Sequence, residues 1–351
     1  MPFIKKFETI IYKSDKSISK LTTDNGVFFY NFDSDFNLIS KKKILPGNYS
    51  FVDIWFDIDK NNHLYGLINT KDSSLLYSYI NDKVLLKTTI LQDDSDSFTF
   101  KFPYIKEINN ETHILYYLNN KYNQYFSKLI HHYKKSDNWI KSEIDLIEHD
   151  ILTNFVVIFK DSVPSVFYFN LVNGYDELFV TTFNINTNIW SAPLQITKTG
   201  KNKVYLSVIK DSNDIFHISY SENNSNRYYC VYLKGSFNNG KFFTSKYTNI
   251  KTSLACTFPH LIGINNALYI QWLEYHDLYT SVSINSGDDW SIPMIVDDSE
   301  TSDLMFIRYD CKSNYDSNNA SNFSNIFATE LSNNSPIKII GINKNENTTD
   351  Q

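Results

Sequence analysis

The 351-residue sequence is poor in residue types on which several common functions depend. It contains 10 glycines and no glycine-rich loop of the kind that cradles a nucleotide phosphate. Its three cysteines, Cys230, Cys256 and Cys311, lack the paired spacing of a zinc site and are odd in number. No apolar run approaches the ~18 residues of a membrane-spanning helix. The sequence therefore predicts no metal, no cofactor and no membrane partner.

Arginine is scarcer still, with Arg227 and Arg308 as the two examples among 33 basic residues. The formal net charge is −6 and the lysines are scattered, so no basic surface for nucleic acid is predicted. The N-terminal residues lack the apolar core, roughly 7–15 residues long, of a signal peptide. A cytoplasmic location is the expectation that follows.

Aromatic residues are abundant, with 25 tyrosines and 26 phenylalanines, and such a composition favours β-strands. The chain also repeats itself about every 50 residues. Trp139 and Trp190 stand 51 residues apart, Trp290 follows 100 residues later, and each comes just after a polar turn. A second series is formed by histidines that follow apolar segments, namely His63, His113 and His217. Two series at one period indicate a repeat architecture.

Each period contains four short apolar segments joined by polar turns, which is typical of a β-propeller blade. The sequence therefore predicts an all-β fold, a single β-propeller domain over residues 1–351, with seven four-stranded antiparallel blades and six as the alternative. The predicted blades are 1–48, 49–98, 99–149, 150–199, 200–252, 253–300 and 301–351. The segment Phe7 to Tyr12 is expected to complete the last blade and close the ring. Lys312 to Ser324 is predicted to be a long loop, and Asn343 to Gln351 a frayed end.

One turn stands out, in the segment that begins at Ser283 and ends at Trp290. Gly287 lies where a chain reversal needs positive φ, and Asn285 is a short polar residue that can bond nearby backbone groups. Trp290 supplies a large apolar surface that is expected to pack between sheets. These residues predict a hairpin turn with a structural role.

The same segment resembles the Asp-box of the sialidase-like, or BNR-repeat, propellers, with Asn285 in place of the usual Asp and Asp289 in place of the usual Thr. The resemblance implies a turn that stabilises the propeller rim and lies far from any active site. Sialidases also hold the substrate carboxylate with three arginines. A chain with two arginines cannot supply them, so sialidase activity is excluded.

Catalysis by carboxylates is the other enzymatic possibility, because propeller glycosidases place acidic residues around one central cavity. The candidates on predicted inner strands are Asp53, Glu107 and Asp310, with Asp53 first because it stands in an apolar segment beside Trp55. Asp57, Asp161 and Asp211 recur near strand ends and are interpreted as turn-capping residues.

Binding is predicted for the face of the propeller that the inner strands form. Trp55, Tyr104, His260 and Arg308 are the candidate ligand contacts, because sugars stack on aromatic rings and protein partners use aromatic and arginine anchors. The sequence thus predicts a non-catalytic binding protein for a glycan or a protein ligand. The alternative is a glycoside hydrolase or lyase that uses the inner-strand carboxylates.

Overall fold

In a computed structural model, the chain forms β-strands arranged as a ring of sheets. The structure describes residues 4–70, 74–81, 85–92, 97–135, 138–250, 252, 255–264, 266–297, 303–311, 325–329 and 338–342. The loop predicted from Lys312 to Ser324 and the frayed end predicted from Asn343 to Gln351 lie outside these residues.

The strands come in groups along the chain. The first group is β1 (Lys6–Tyr12), β2 (Ile18–Thr22), β3 (Gly26–Phe32) and β4 (Leu38–Pro46). A short 3-10 helix (Phe51–Asp53) precedes the second group, β5 (Ile54–Ile58), β6 (Leu64–Asn69), β7 (Ser74–Ile80) and β8 (Leu85–Gln92). The third is β9 (Phe98–Ile108), β10 (Glu111–Asn120), β11 (Phe126–Lys135) and β12 (Asn138–Glu148).

The second half of the chain continues the series. The fourth group is β13 (Val156–Lys160), β14 (Val163–Val172), β15 (Tyr175–Asn184), β16 (Ile189–Trp190) and β17 (Leu194–Gln195). The fifth is β18 (Lys203–Lys210), β19 (Phe216–Asn224), β20 (Arg227–Asn238) and β21 (Lys241–Ile250). The sixth is β22 (Thr257–Ile264), β23 (Ala267–Glu274), β24 (Asp277–Ser283) and β25 (Met294–Ile295). The last is β26 (Leu304–Cys311), β27 (Asn325–Thr329) and β28 (Lys338–Ile339).

The prediction of an all-β propeller with four-stranded antiparallel blades is confirmed, but the count of seven blades is wrong. The described strands form six hydrogen-bonded sheets, in agreement with the alternative. Four of these sheets have four strands, and β13 to β17 form a fifth with five. The sixth has seven strands in the order β28-β27-β26-β1-β2-β3-β4, so the last three strands belong to the first blade.

The ring closes through β1, the strand predicted to do so from Phe7 to Tyr12. It pairs with β26 over seven residues, from Lys6 opposite Met305 to Tyr12 opposite Cys311. This pairing is parallel, whereas the neighbouring pairing of β1 with β2 is antiparallel. Strands from the two ends of the chain therefore share one sheet.

The core lies between the sheets rather than in one central mass. Each buried cluster joins neighbouring blades, as Val27 of β3 and Leu64 of β6 do in one cluster, and Phe167 of β14 and Val208 of β18 do in another. Burial of such side chains stabilises the fold by about 1.5–3 kcal/mol each. The packing fixes the rotation of each sheet about the ring, and with it the orientation of the strands that face the centre.

The turn from Ser283 to Trp290 has the structure that its sequence predicts. Ser283 Oγ accepts a hydrogen bond from the Gly287 amide at 2.9 Å, and Asn285 Oδ1 accepts one from the Asp289 amide at 2.9 Å. Trp290 packs edge-on against Tyr232 of the adjacent sheet, with ring centroids 4.8 Å apart. The turn therefore joins two blades.

Acidic residues cap several turns between the first two strands of a blade. Not every acidic residue predicted to cap a turn does so. Asp211 accepts bonds from the amides of Asn213 and Ile215, each at 2.9 Å. In the second blade the capping residue is Asp59, which accepts hydrogen bonds from the amides of Asn61 and His63, while Asp57 is buried in an ion pair.

In the part of the chain that the structure describes, no helix is long and apolar enough to cross a membrane.

Candidate active site

A cavity of about 760 Å³ occupies the centre of the ring. Residues from β1, β5, β9, β13, β18, β22 and β26 line it, so every sheet contributes. Its volume is within the ~300–1,000 Å³ that is typical of small-molecule and cofactor sites. The cavity is therefore the candidate functional site.

Aromatic side chains form a large part of the cavity wall, and several of their rings are in contact. Tyr205 lies 4.5 Å from Phe258, and Phe258 lies 5.7 Å from Phe306, between ring centroids. In the same wall, the ring centroids of Trp55 and Tyr104 are 4.6 Å apart. Rings at such distances stabilise one another and present flat apolar faces to a ligand.

Arg308 is the cation in this aromatic wall that is enclosed by rings on both sides. Its guanidinium carbon lies 3.9 Å from the centroid of Trp55 and 4.2 Å from that of Phe51. Nη1 donates a hydrogen bond to the carbonyl oxygen of Ile54 at 2.8 Å. Burial lowers the pKa of Arg308 to about 9, so the group stays cationic at neutral pH. Among the described side chains no carboxylate pairs with it, which is unusual for a buried charge.

His260 lies in the same wall, on β22. Its ring is 2% exposed and packs 4.8 Å from Phe327 and 5.7 Å from Phe306, between centroids. Burial lowers the pKa of His260 to about 4, because the imidazolium is poorly solvated there. Nε2 has no hydrogen-bond partner among the described residues. Nδ1 lies 3.3 Å from the carbonyl oxygen of Phe258, and the low pKa keeps the imidazole neutral at neutral pH.

The four predicted ligand contacts are thus brought together. Trp55, Tyr104, His260 and Arg308 all line the cavity. Whether they bind a ligand stays a prediction, but their convergence on one cavity is a structural fact.

Two of the three predicted catalytic carboxylates, Asp53 and Glu107, are not brought together. Asp53 lies in the 3-10 helix before β5, where it accepts hydrogen bonds from the Ser50 amide at 3.3 Å and from Asn69 Nδ2 at 3.2 Å. Glu107 lies near the far end of β9, since its amide donates at 2.8 Å to Asp57, four residues further along the chain than Asp53. Four extended residues span roughly 13 Å. The side chain of Asp310 lies outside the described residues.

Two acidic side chains, Asp57 and Glu107, lie near the ends of the inner strands β5 and β9. Asp57 is buried and forms an ion pair with Lys106 Nζ at 2.7 Å. Burial raises the pKa of Glu107 to about 7, and the nearby Asp57 carboxylate adds to the shift. Asp57 is the carboxylate among the described residues lining the cavity, and it is already paired. The described wall therefore lacks the two carboxylates that glycoside hydrolysis needs. No group of three or more potential metal ligands occurs in the part of the chain that the structure describes.

Several wall residues were missed by reasoning from sequence, above all Phe51, Phe306 and Tyr205. Phe102 and Phe258 also line the cavity, and their sequence does carry a signal, because each is followed by proline. Tyr205 is followed by Leu206, so nothing in its local sequence marked it as equivalent.

Comparison with solved structures finds similar β-propeller folds in a lectin, in polysaccharide lyases and in an arabinofuranosidase. No model of a known protein family matches the chain, and no curated protein matches it. A lectin from Burkholderia pseudomallei has a TM-score of 0.61 at 10% identity, covering 95% of this chain and 94% of its own. A polysaccharide lyase, an ulvan lyase bound to -[GlcA(1-4)Rha3S]-, has 0.60 at 10%, covering 94% and 90%. An α-L-arabinofuranosidase from Fusarium graminearum has 0.53 at 11%, covering 82% and 91%.

These comparisons support a β-propeller and do not support the narrower resemblance to sialidases or a BNR repeat. They also contradict the prediction of a non-catalytic binding protein, because full-length structural neighbours include polysaccharide lyases and a glycoside hydrolase. The alternative made from the sequence, a carbohydrate-cleaving enzyme, agrees better with them. A carbohydrate ligand, the coarser prediction, is supported by the lyase and the lectin alike.

Proposed function

We propose that this protein is a carbohydrate-active enzyme that cleaves an acidic polysaccharide in its central cavity by β-elimination. The observation that carries the proposal is Arg308, a guanidinium held between two aromatic rings in the cavity wall with no carboxylate partner among the described side chains.

A buried cation without a counter-ion favours an anionic ligand. Guanidinium binds carboxylate or sulfate oxygens with two parallel hydrogen bonds, and the low polarity of the cavity strengthens such a contact. The stacking of Arg308 on Trp55 and Phe51 fixes the plane of the fork before a ligand arrives. A uronate or sulfated sugar supplies the matching charge.

Elimination suits this wall better than hydrolysis. In β-elimination a base removes the C5 proton of a uronate whose carboxylate is neutralised by a cation. The electron pair of the C5–H bond forms the C4=C5 double bond, the C4–O bond breaks, and the leaving oxygen takes up a proton. Our candidates for the two roles are His260 as the base and Arg308 as the neutralising group, since both line the cavity. The step consumes no water and needs no pair of carboxylates.

Structural neighbours give independent support for this substrate class. The ulvan lyase carries a saccharide of glucuronate and sulfated rhamnose, so a similar fold holds an acidic polysaccharide. At 10% identity the likeness establishes the fold, and the chemistry must be tested on this chain.

The test is to incubate the purified protein with ulvan, alginate, pectate and hyaluronan, and with neutral xylan. Elimination creates an unsaturated uronate that absorbs in the ultraviolet, and its mass is one water lower than that of a hydrolysis product. We expect unsaturated products from at least one acidic polysaccharide and none from xylan. The variant Arg308→Met, which removes the charge and keeps apolar bulk, should lower kcat/KM by about a hundredfold or more.

The matched control is Arg227→Met, since Arg227 is the other arginine of the chain, exposed at the start of β20 and outside the cavity wall. It should cleave like the unmodified protein. Saturated products would indicate hydrolysis and refute the elimination step. Equal activity in the two arginine variants would refute the role of Arg308.

A further inference from the structure

Three inner strands share one backbone irregularity next to the cavity. At Phe102, Tyr205 and Phe258 the φ angles are +51°, +61° and +51°. Each residue is the first of two that face a single residue on the next strand, which makes a β-bulge. The bulges lie in the pairings of β9 with β10, β18 with β19 and β22 with β23.

Positive φ is costly for a bulky side chain, by roughly 1–2 kcal/mol for each residue. The other non-glycine residues with positive φ lie in turns between strands, and most of them are Asn, Asp or Ser. Within the described strands, positive φ at a non-glycine residue occurs at these three aromatic positions alone. A backbone strained at three equivalent places is more informative than one strained at a single place.

The effect of the bulges is to turn three aromatic rings toward the cavity. All three residues line it, and all three are half-buried, so part of each ring remains accessible. Tyr205 and Phe258 are in contact with each other, and Phe102 lies edge-on to Tyr117 at 6.1 Å between centroids. Bulges often re-aim side chains at functional sites.

We propose that Phe102, Tyr205 and Phe258 are stacking platforms for successive sugar rings of the polysaccharide that Arg308 anchors by its charge. The apolar C–H face of a pyranose packs against an aromatic ring, and this contact requires no charge on the sugar. The identity of the ligand, a polysaccharide, rests on the proposed function. The three rings and Arg308 line the same cavity, so one polysaccharide chain can contact all of them.

The positive φ angles at these three residues determine which substitution removes the ring with the least strain on the backbone. Asparagine tolerates the left-handed conformation, so Phe102→Asn, Tyr205→Asn and Phe258→Asn relieve the backbone while removing the ring. If the rings bind sugar, each variant should bind oligosaccharides about tenfold more weakly, whatever balance its urea midpoint shows between relieved backbone strain and lost ring contacts. A purely structural role for the ring would give a lower midpoint with unchanged affinity.

Affinity is measured by calorimetry with ulvan oligosaccharides and xylan oligosaccharides as probes. Phe36→Asn is the matched control, because Phe36 has φ +65° in the turn after β3 and lies outside the cavity wall. It should bind the probes like the unmodified protein.

The outcomes separate this inference from the proposed function. Binding that weakens in the three variants without any cleavage would sustain the platforms and refute the enzyme. Cleavage with unchanged affinity in the variants would sustain the enzyme and refute the platforms. Absence of binding to every probe by the unmodified protein would also refute them.

Discussion

At Gly287 the backbone has φ +84°, and a Cβ placed there would lie 1.8 Å from the hydroxyl oxygen of Tyr232 in the adjacent sheet. That hydroxyl is 2.7 Å from Nδ1 of the buried His217. The absence of a side chain at Gly287 thus allows both the turn and the close approach of Tyr232, whose hydrogen bond with His217 lies within its own sheet. The sequence indicated the turn correctly, because positive φ has a local signature. The approach of Tyr232 has none, since it depends on how two sheets pack.

The variant Gly287→Ala should therefore lose more stability than the backbone angle alone explains. Forcing a side chain into the left-handed region costs about 1 kcal/mol, and the displaced Tyr232 adds a further loss of about 1–3 kcal/mol. Urea unfolding would measure both. Gly174→Ala is the control, because Gly174 has φ +80° and nothing within 4 Å of the added carbon. Equal losses in the two variants would show that the contact with Tyr232 has no energetic weight.

At the scale of strands and their connections, Lys203 at the start of β18 holds two blades together. Its Nζ is fully buried and donates to the Asp176 carbonyl at 2.7 Å, to Glu177 at 3.1 Å and to Thr199 Oγ1 at 2.7 Å. Glu222 of β19 lies 3.7 Å away. The lysine therefore ties the start of β15 to the connection that enters the next blade.

Replacing this lysine with methionine should leave the carboxylate of Glu177 buried without its cation, while Glu222 keeps its ion pair with Lys201 at 3.2 Å. Such a loss costs about 3–5 kcal/mol, although Lys203→Met keeps the volume of the side chain. Lys160→Met is the comparison, since Lys160 pairs with Asp214 at the surface and its loss should leave urea unfolding nearly unchanged. If Lys203→Met unfolds like Lys160→Met, the buried network contributes little.

Sequence reasoning at this scale succeeded where the signal was local. Asp211 caps its turn as predicted, because an Asp side chain bonds the amides two and four residues ahead of it. Asp57 was placed in the same role and is instead paired with Lys106 of another strand. The tryptophan repeat shows the same limit, since Trp190 is buried whereas Trp139 is 45% exposed. Residues one repeat apart can therefore have the same type and still differ in the side chains that pack around them.

For the whole molecule, the period of about 50 residues predicted a propeller correctly and its blade count incorrectly. Repeats count units along the chain, and the seventh unit is present as β26 to β28. Sheets are defined by hydrogen bonds, and the ladder between β1 and β26 merges that unit with the first. For the candidate site too, the repeat predicted which residues lie on inner strands but not how those strands bring them together. Arg308 and His260 converge on the centre because the repeat places them there, while Asp53 and Glu107 lie at different heights along their strands.

The ring closure itself makes a final prediction. Deleting residues 1–12 removes β1 and exposes the pairing edges of β26 and β2, which are ready templates for association with another chain. We expect a lower unfolding midpoint and self-association, measured by urea unfolding and by light scattering during gel filtration. A synthetic peptide of residues 4–12, added in trans, should restore the molecular mass in solution of the unmodified protein, since it supplies all seven pairs with β26. A peptide with Ile10→Pro should not, because proline removes a donor and blocks the ladder in a central strand. A truncated protein that keeps the unfolding midpoint and the oligomeric state of the unmodified protein would show that the sheets hold the ring without this strand.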